Sequence, residues 1–342
     1  MSSCFSAFFK KQSWNLHFLV EFKYLFVLGL LSLSSNCIFL LIWSLQKSYL
    51  VEDLLTTIKA VLTAVSLMLY FLSCAYNRHS IHSCFGKCSE VLSYNKNAYY
   101  LKMSSVWIIT AMHMFWLVVF FIWSITTRGP VLNLLLQLQD FICLVFEMQF
   151  YVILLLIKSS LEMIIHKISN FCRMIKENKI GTKYLLPNYF ANYLEDARLL
   201  HMEIFDIMIK ANQIYGLHSF VIIIKSRILF TMNVYFYITS SNSMELMESI
   251  AAFQRIALLC YCSELIKRNE KKIKSGINEM DVYFSHGKYY NHQRLLFNYQ
   301  VAKLNFDLEA CEMFPINLET FLSILITTAS YLLLFSQLNL TL

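Results

Sequence analysis

Charge is what this chain has least of. Only 15% of its 342 residues are Asp, Glu, Lys or Arg, while 57% are hydrophobic and the mean hydropathy is +0.52. An ordinary soluble domain carries roughly 25% charged residues. The shortage excludes a water-solvated globule and makes lipid the main solvent. Proline is nearly as scarce. Pro130, Pro187 and Pro315 are the only three, all at the ends of apolar runs or in a loop, and Gly29 is the only glycine well inside such a run. Carriers commonly build midplane sites from helices broken at Gly and Pro, so the scarcity argues against a carrier. There is no Gly-rich phosphate loop, no His-Glu metal pair and no organised nucleophile. An enzyme is therefore not expected, nor a cofactor. His79, His82, Cys84 and Cys88 lie within ten residues, but their spacing is not that of a structural zinc site, and a helical extension is expected there instead.

What is present is a series of apolar runs long enough to cross a bilayer. Seven are read: Tyr24–Trp43, Asp53–Tyr76, Ser105–Thr127, Val131–Ile157, Leu217–Ser240, Met247–Ile266 and Asn317–Leu340. An odd count puts the termini on opposite sides. With the N-terminus inside, 22 Lys and Arg fall in inner segments and two, Lys47 and Arg128, in outer ones. The positive-inside rule then places the N-terminus in the cytoplasm and the C-terminus outside. The net charge of +7 is this asymmetry, not a nucleic-acid footprint, and no nucleic-acid partner is expected. None of the ten cysteines falls in an outer loop, so no disulfide framework is implied. No cleavable signal peptide is evident in residues 1–21.

The outer loops are short and the inner segments long, spanning 77–104, 158–216 and 267–316. Leu200, Ile204 and Ile207 or Met208 form one apolar stripe in Leu194–Lys210, and Phe297, Val301, Leu304, Leu308 and Cys311 form another in Gln293–Cys311. Both predict helices. Such stripes ordinarily pack on each other as extensions of the spans; a tighter version makes them the contact between subunits. The fold class is thus all-α, a polytopic membrane protein with long cytoplasmic helical extensions. The whole chain, 1–342, reads as one domain: a six-helix bundle (1–157 and 217–266), anchor segments (158–216 and 267–316) and a last helix (317–342).

That last helix carries the most specific pattern. Thr327, Ser330, Leu334, Gln337 and Thr341 recur at spacings of three and four and share one face. A Gln facing lipid leaves its donors and acceptors unmet, so Gln337 faces protein, another copy, or water. A neighbouring helix would satisfy it as in other bundles. Alternatively, copies of the helix surround an aqueous path, with Leu334 as a dewetting constriction and Gln337 as a polar ring.

Ser330-Tyr331, five intervening residues, then Gln337-Leu338 resembles the closing signature of insect gustatory receptors, which runs Thr-Tyr, five mostly apolar residues, Gln-Phe. Upstream, Ala310, Phe314 and Ile316 fit that family's Ala-x-Gly-x-Phe-x-Ile-Asp lead-in, with Glu312 in place of Gly and Asn317 in place of Asp. Phe22–Leu31 is similar to its first-span Leu-Gly-Leu element. The resemblance implies a tastant-gated, non-selective cation channel in the plasma membrane of sensory neuron dendrites. It would be a homo- or heterotetramer with other gustatory receptors, its pore lined by the last helix of each subunit. It also implies a ligand pocket in the outer half of the second to sixth spans, for which Trp116, Phe120, Asp140, Phe141, Asn233, Tyr235, Gln254 and Arg255 are the candidates. An odorant receptor of the same superfamily shares fold and pore. A G-protein-coupled receptor would need the C-terminus inside.

Ionisable residues at membrane depth are functional candidates with a partner to be found. Counting from the span ends predicts two depth-matched pairs, Asp140 with Arg255 and Glu147 with Arg227, with Lys59 as an alternative for Asp140. These pairs tie helices together, or the outer one lines the ligand pocket. Lys225 is expected to snorkel to the inner surface.

Overall fold

The computed structural model describes residues 51–93, 130–177, 186–240, 243–280 and 288–341, together with eight helical residues between Ile108 and Ile122. Its elements are α1 (Val51–Tyr76), α2 (Arg78–Ser93), α3 (Pro130–Glu177), α4 (Leu186–Ser240), α5 (Ser243–Glu279), α6 (Lys288–Lys303), the short strands β1 (Glu309–Ala310) and β2 (Phe314–Pro315), and α7 (Leu318–Thr341). The class is all-α, as the sequence predicts. The run Tyr24–Trp43 lies outside the described residues.

Proline starts helices here and does not break them. Pro130 is the first residue of α3 and Pro187 the second of α4, positions where the missing N–H would find no helical partner in any case. No proline interrupts the later turns of either helix. At 1.5 Å per residue, α3, α4 and α5, with 48, 55 and 37 residues, are about 70, 80 and 55 Å long. A hydrocarbon core is about 30 Å thick, so each is long enough to cross it and continue well beyond. Stretches of all three are apolar enough to span a bilayer. The helices run without a break through positions 157, 216 and 266, where the apolar runs end in the sequence.

The stripe predicted in Leu194–Lys210 is real and inward-facing: Leu200, Ile204, Ile207 and Met208 are buried. They join a continuous core with Phe171 of α3, Ile266 and Ile273 of α5 and Phe297 and Val301 of α6. Small residues allow close approach. A Cβ on Gly276 of α5 would lie 2.7 Å from Cγ2 of Ile168 in α3. In α2, Ile81, Cys84 and Val91 are buried, and backbone bonds from Asn77 to Ser73 and from Ile81 to Asn77 join it to α1 as an extension.

The stripe predicted to run helically as far as Cys311 is corrected by the structure. The helix stops at Lys303, and Leu308 is buried from an extended segment. Side chains from elsewhere capture that backbone. Asn212 of α4 donates Nδ2 to the Asp307 carbonyl (2.8 Å) and accepts from the Glu309 N–H at 3.4 Å. Lys267 of α5 reaches the Asp307 carboxylate at 2.8 Å. β1 and β2 then close a hairpin, Glu309 opposite Pro315 and Ala310 opposite Phe314. At its tip Met313 N–H donates to the Ala310 carbonyl (2.9 Å), while Cys311 and Glu312 take φ of 52° and 60°. Two left-handed residues are what a tight hairpin turn of this type needs. The hairpin leads into α7, where Asn317 Oδ1 accepts the Thr320 N–H at 2.8 Å as an N-cap. Asp would make the same bond, so Asn at 317 keeps the cap.

Candidate pore face and buried polar groups

α7 packs on its own subunit through one face. Ile324 and Thr328 are buried, Phe321 is half-buried, and the Thr328 hydroxyl lies 3.4 Å from that of Thr231 in α4. At 100° per residue, Thr327, Ser330, Leu334 and Gln337 fall on the side away from Thr328. Ser330, Leu334 and Gln337 are exposed and Thr327 half-buried. Thr341 is helical, but its side chain and that of Leu338 lie outside the described residues. Thr327 Oγ1 donates to the Ser323 carbonyl and Ser330 Oγ to that of Ile326. Both hydroxyl protons are spent on the helix itself, so each oxygen can offer only lone pairs to whatever stands opposite. Leu322, Ile326 and Leu333 form an exposed apolar flank beside this stripe.

Tyr331 is at the edge of the packed face, and the Arg227 guanidinium of α4 lies 5.9 Å from its ring centroid, within cation–π range. This corrects one predicted pair. Glu147 does not meet Arg227; its Oε2 faces Nε of Arg255 at 3.8 Å, with the two side chains 2% and 16% exposed. The expected Asp140–Arg255 pair involves a side chain outside the described residues; Arg255 is engaged by Glu147. The side chains of Asp140, Phe141 and Lys59 lie outside the described residues, as does Phe120. Lys225 does not snorkel. It is 3% exposed, inside the protein.

The Glu147–Arg255 pair stands within a polar constellation contributed by several helices. Tyr151, one turn beyond Glu147, donates its hydroxyl to the Arg255 carbonyl at 3.2 Å. Next to Arg255, Gln254 accepts from Trp116 Nε1 at 2.7 Å. So Trp116 and Gln254, both chosen from the sequence, do meet, and Arg255, the next residue along α5, pairs with Glu147. Asn233 is buried elsewhere, its Nδ2 donating to Glu248 of α5 at 3.2 Å. Tyr235 makes an edge contact with Phe236. Sequence reasoning missed the aromatic layer beneath, where Tyr70 stacks on His218 (4.7 Å, 9°) and Phe150 on Tyr215 (4.8 Å). Its only signal was aromatic residues at helical spacing, which also describes plain core.

At the charged end of the bundle a second network locks α4 to α6. Glu195 and Arg198 form a two-bond pair at 2.6 and 2.7 Å, and that hydrogen bonding holds the Glu195 carboxyl below its usual range. Gln300 of α6 accepts from Arg198 and donates towards the Arg198 carbonyl and His201 Nδ1, at 3.2, 3.1 and 3.0 Å. His201 is fully buried between Phe297 and Phe306, and burial pushes its pKa down to about 4.

Long apolar helices, membrane-embedded charges and a terminal helix with one polar edge define a multi-pass membrane receptor-like bundle. The profile of the family described as 7tm Chemosensory receptor matches residues 3–341. The chain belongs to that family and is a chemosensory receptor, not an enzyme. Its fold is similar to that of the insect olfactory receptor OR5 from Machilis hrabei, with a TM-score of 0.64, 13% identity, and 92% of this chain and 88% of that one covered. The same receptor in complex with eugenol gives a TM-score of 0.67 at 13% identity, covering 96% and 92%. No curated protein sequence matches the chain.

Proposed function

We propose that this receptor is a small-molecule-gated cation channel of gustatory type, a tetramer whose pore is lined by α7 of each subunit. The polar edge of α7 carries this reading. It lies opposite the face packed on the subunit, and its Thr327 and Ser330 oxygens offer lone pairs outward, which suits a cation and not an anion. The apolar flank of Leu322, Ile326 and Leu333 supports a neighbouring α7 packed beside each stripe. Leu334 closes the path by dewetting when the four copies bring it to the axis. Ligand enters near Trp116, Gln254 and Arg255, moves α4 and α5, and through them rotates α7, so that ions pass Gln337. The Lys and Arg asymmetry supports an outside C-terminus.

The olfactory receptor in complex with eugenol favours an odorant-type reading of the same channel, whereas the Ser330-Tyr331…Gln337 pattern favours the gustatory one. Calcium imaging of cells expressing the full chain, with sugar, bitter and amino-acid panels beside volatiles such as eugenol, separates them. The Gln337→Ala variant should change relative cation permeability while ligand binding persists. Unchanged permeability in an active channel removes Gln337 from the pore and the reading with it.

A further inference from the structure

Eighteen residues separate Glu319 from Gln337. On an α-helix that is five whole turns, about 27 Å along the axis, so both project at one azimuth. Thr328, nine residues from Glu319 and 2% exposed, is two and a half turns away and therefore faces the other way. The polar edge thus begins about two turns before Thr327, the first residue of the stripe read from the sequence. It runs Glu319, Ser323, Thr327, Ser330, Leu334, Gln337, Thr341, and Glu319 is its only charge. Glu319 is exposed, as is Ser323.

Some acids of the bundle are paired on their own subunit, while Asp196, Glu203 and Asp206 of α4, like Glu319, are in no ion pair among the described residues. Glu147 meets Arg255, Glu162 meets Lys158, Glu195 meets Arg198 and Glu264 meets Arg268. Among the described residues no ion pair engages Glu319. An acid in the first turn of α7 is favoured by the helix dipole, which accounts for tolerance of a charge there. It does not account for its azimuth, which any of the other first-turn positions would change.

We propose that Glu319 is a specificity-determining residue: four copies form an acidic ring at the mouth where α7 begins, concentrating cations, divalent ones most, ahead of the polar path. This rests on the pore reading and deepens it. A ring of like charge acts through the field in the mouth, so its influence must follow the screening length, about 30 Å at 0.01 M salt and 3 Å at 1 M.

The test is single-channel recording from the full chain reconstituted in planar bilayers, with Na⁺ on both sides and then Ca²⁺ on the Glu319 side. Glu319→Gln should lower the current entering from that side by about twofold at 0.01 M salt, with the difference vanishing towards 1 M, and should reduce Ca²⁺ preference over Na⁺. Glu319→Lys should deepen the loss and make the current rectify. A merely structural role for the residue would give losses that do not depend on salt. If both variants conduct as the parent does while Gln337→Ala shifts permeability, the acidic ring is wrong and the pore reading stands. If the parent chain carries no cation current under any probe of the panel, the channel reading fails and takes the ring with it.

Discussion

Glu147 of α3 and Arg255 of α5 face each other at 3.8 Å inside the helix bundle, the carboxylate almost wholly enclosed. Tyr151 steadies the arginine's own backbone from one turn away. The pair joins two of the longest helices at the level where Trp116 meets Gln254. It is therefore placed to register any movement of α5 against α3.

Breaking a buried pair by removing one partner typically costs about 3–5 kcal/mol, because the survivor is left uncompensated. Glu147→Leu should therefore lower the melting temperature of detergent-solubilised protein sharply, and Arg255→Leu should do the same. The swap Glu147→Arg with Arg255→Glu should recover part of the loss. A double swap no more stable than either single variant would contradict the observed geometry.

Glu312 holds φ of 60° at the hairpin tip, a conformation that costs an L-residue roughly 1–2 kcal/mol. Glycine removes that cost but gains about 0.4–1 kcal/mol of unfolded-state freedom. The balance is a net stabilisation of between about 0 and about 1.6 kcal/mol for Glu312→Gly. A modest rise in melting temperature is expected; a fall would mean that the side chain makes a contribution larger than the strain.

Gly216 lies where α4 touches that hairpin, and a Cβ there would approach Cys311 N at 3.3 Å and the Glu309 carbonyl at 3.5 Å. Alanine gains about 1 kcal/mol of helix propensity against a crowding of a few tenths of an ångström. Gly216→Ala should thus be close to neutral in thermal melting. Gly216→Val adds two branches against backbone and should destabilise clearly. If both are neutral, the hairpin is not held against α4.

His201 is neutral in the folded protein at pH 7, because burial lowers its pKa from 6.5 to about 4. Its folded pKa lies below the unfolded one, so protonation favours the unfolded state. Stability from this group is complete above pH 6.5 and is lost as pH falls from there towards 4, by about 1.4 kcal/mol per unit. Melting temperature measured from about pH 7.5 to 5 should drop on the acid side, and His201→Gln should flatten that part of the profile. An identical slope in the variant would assign the acid sensitivity to other groups.

Much of the architecture was legible without coordinates. Apolar run length, charge scarcity and the absence of internal Pro dictate long unbroken helices, because lipid forces every backbone group to bond within its own segment. The stripe Leu200–Met208 and the polar edge of α7 follow from helical period alone. Ion pairing did not. From the first residues of their helices, Glu147 lies about 26 Å along α3 and Arg255 about 18 Å along α5, and counting from apolar-run ends widened the apparent gap. A pair needs matching depth and matching azimuth, and both depend on how two helices pack. The loss of the predicted helix between Leu304 and Cys311 to a hairpin was equally invisible, since Asn212 and Lys267, which hold it, are 95 and 40 residues away from Asp307. By itself the sequence determined that the long apolar segments form unbroken helices and which edge of α7 is polar, for these depend on local period and solvent. Which charges meet, and where α6 yields to a hairpin ahead of α7, was decided only by tertiary packing, because those partners come from distant turns brought together by the core.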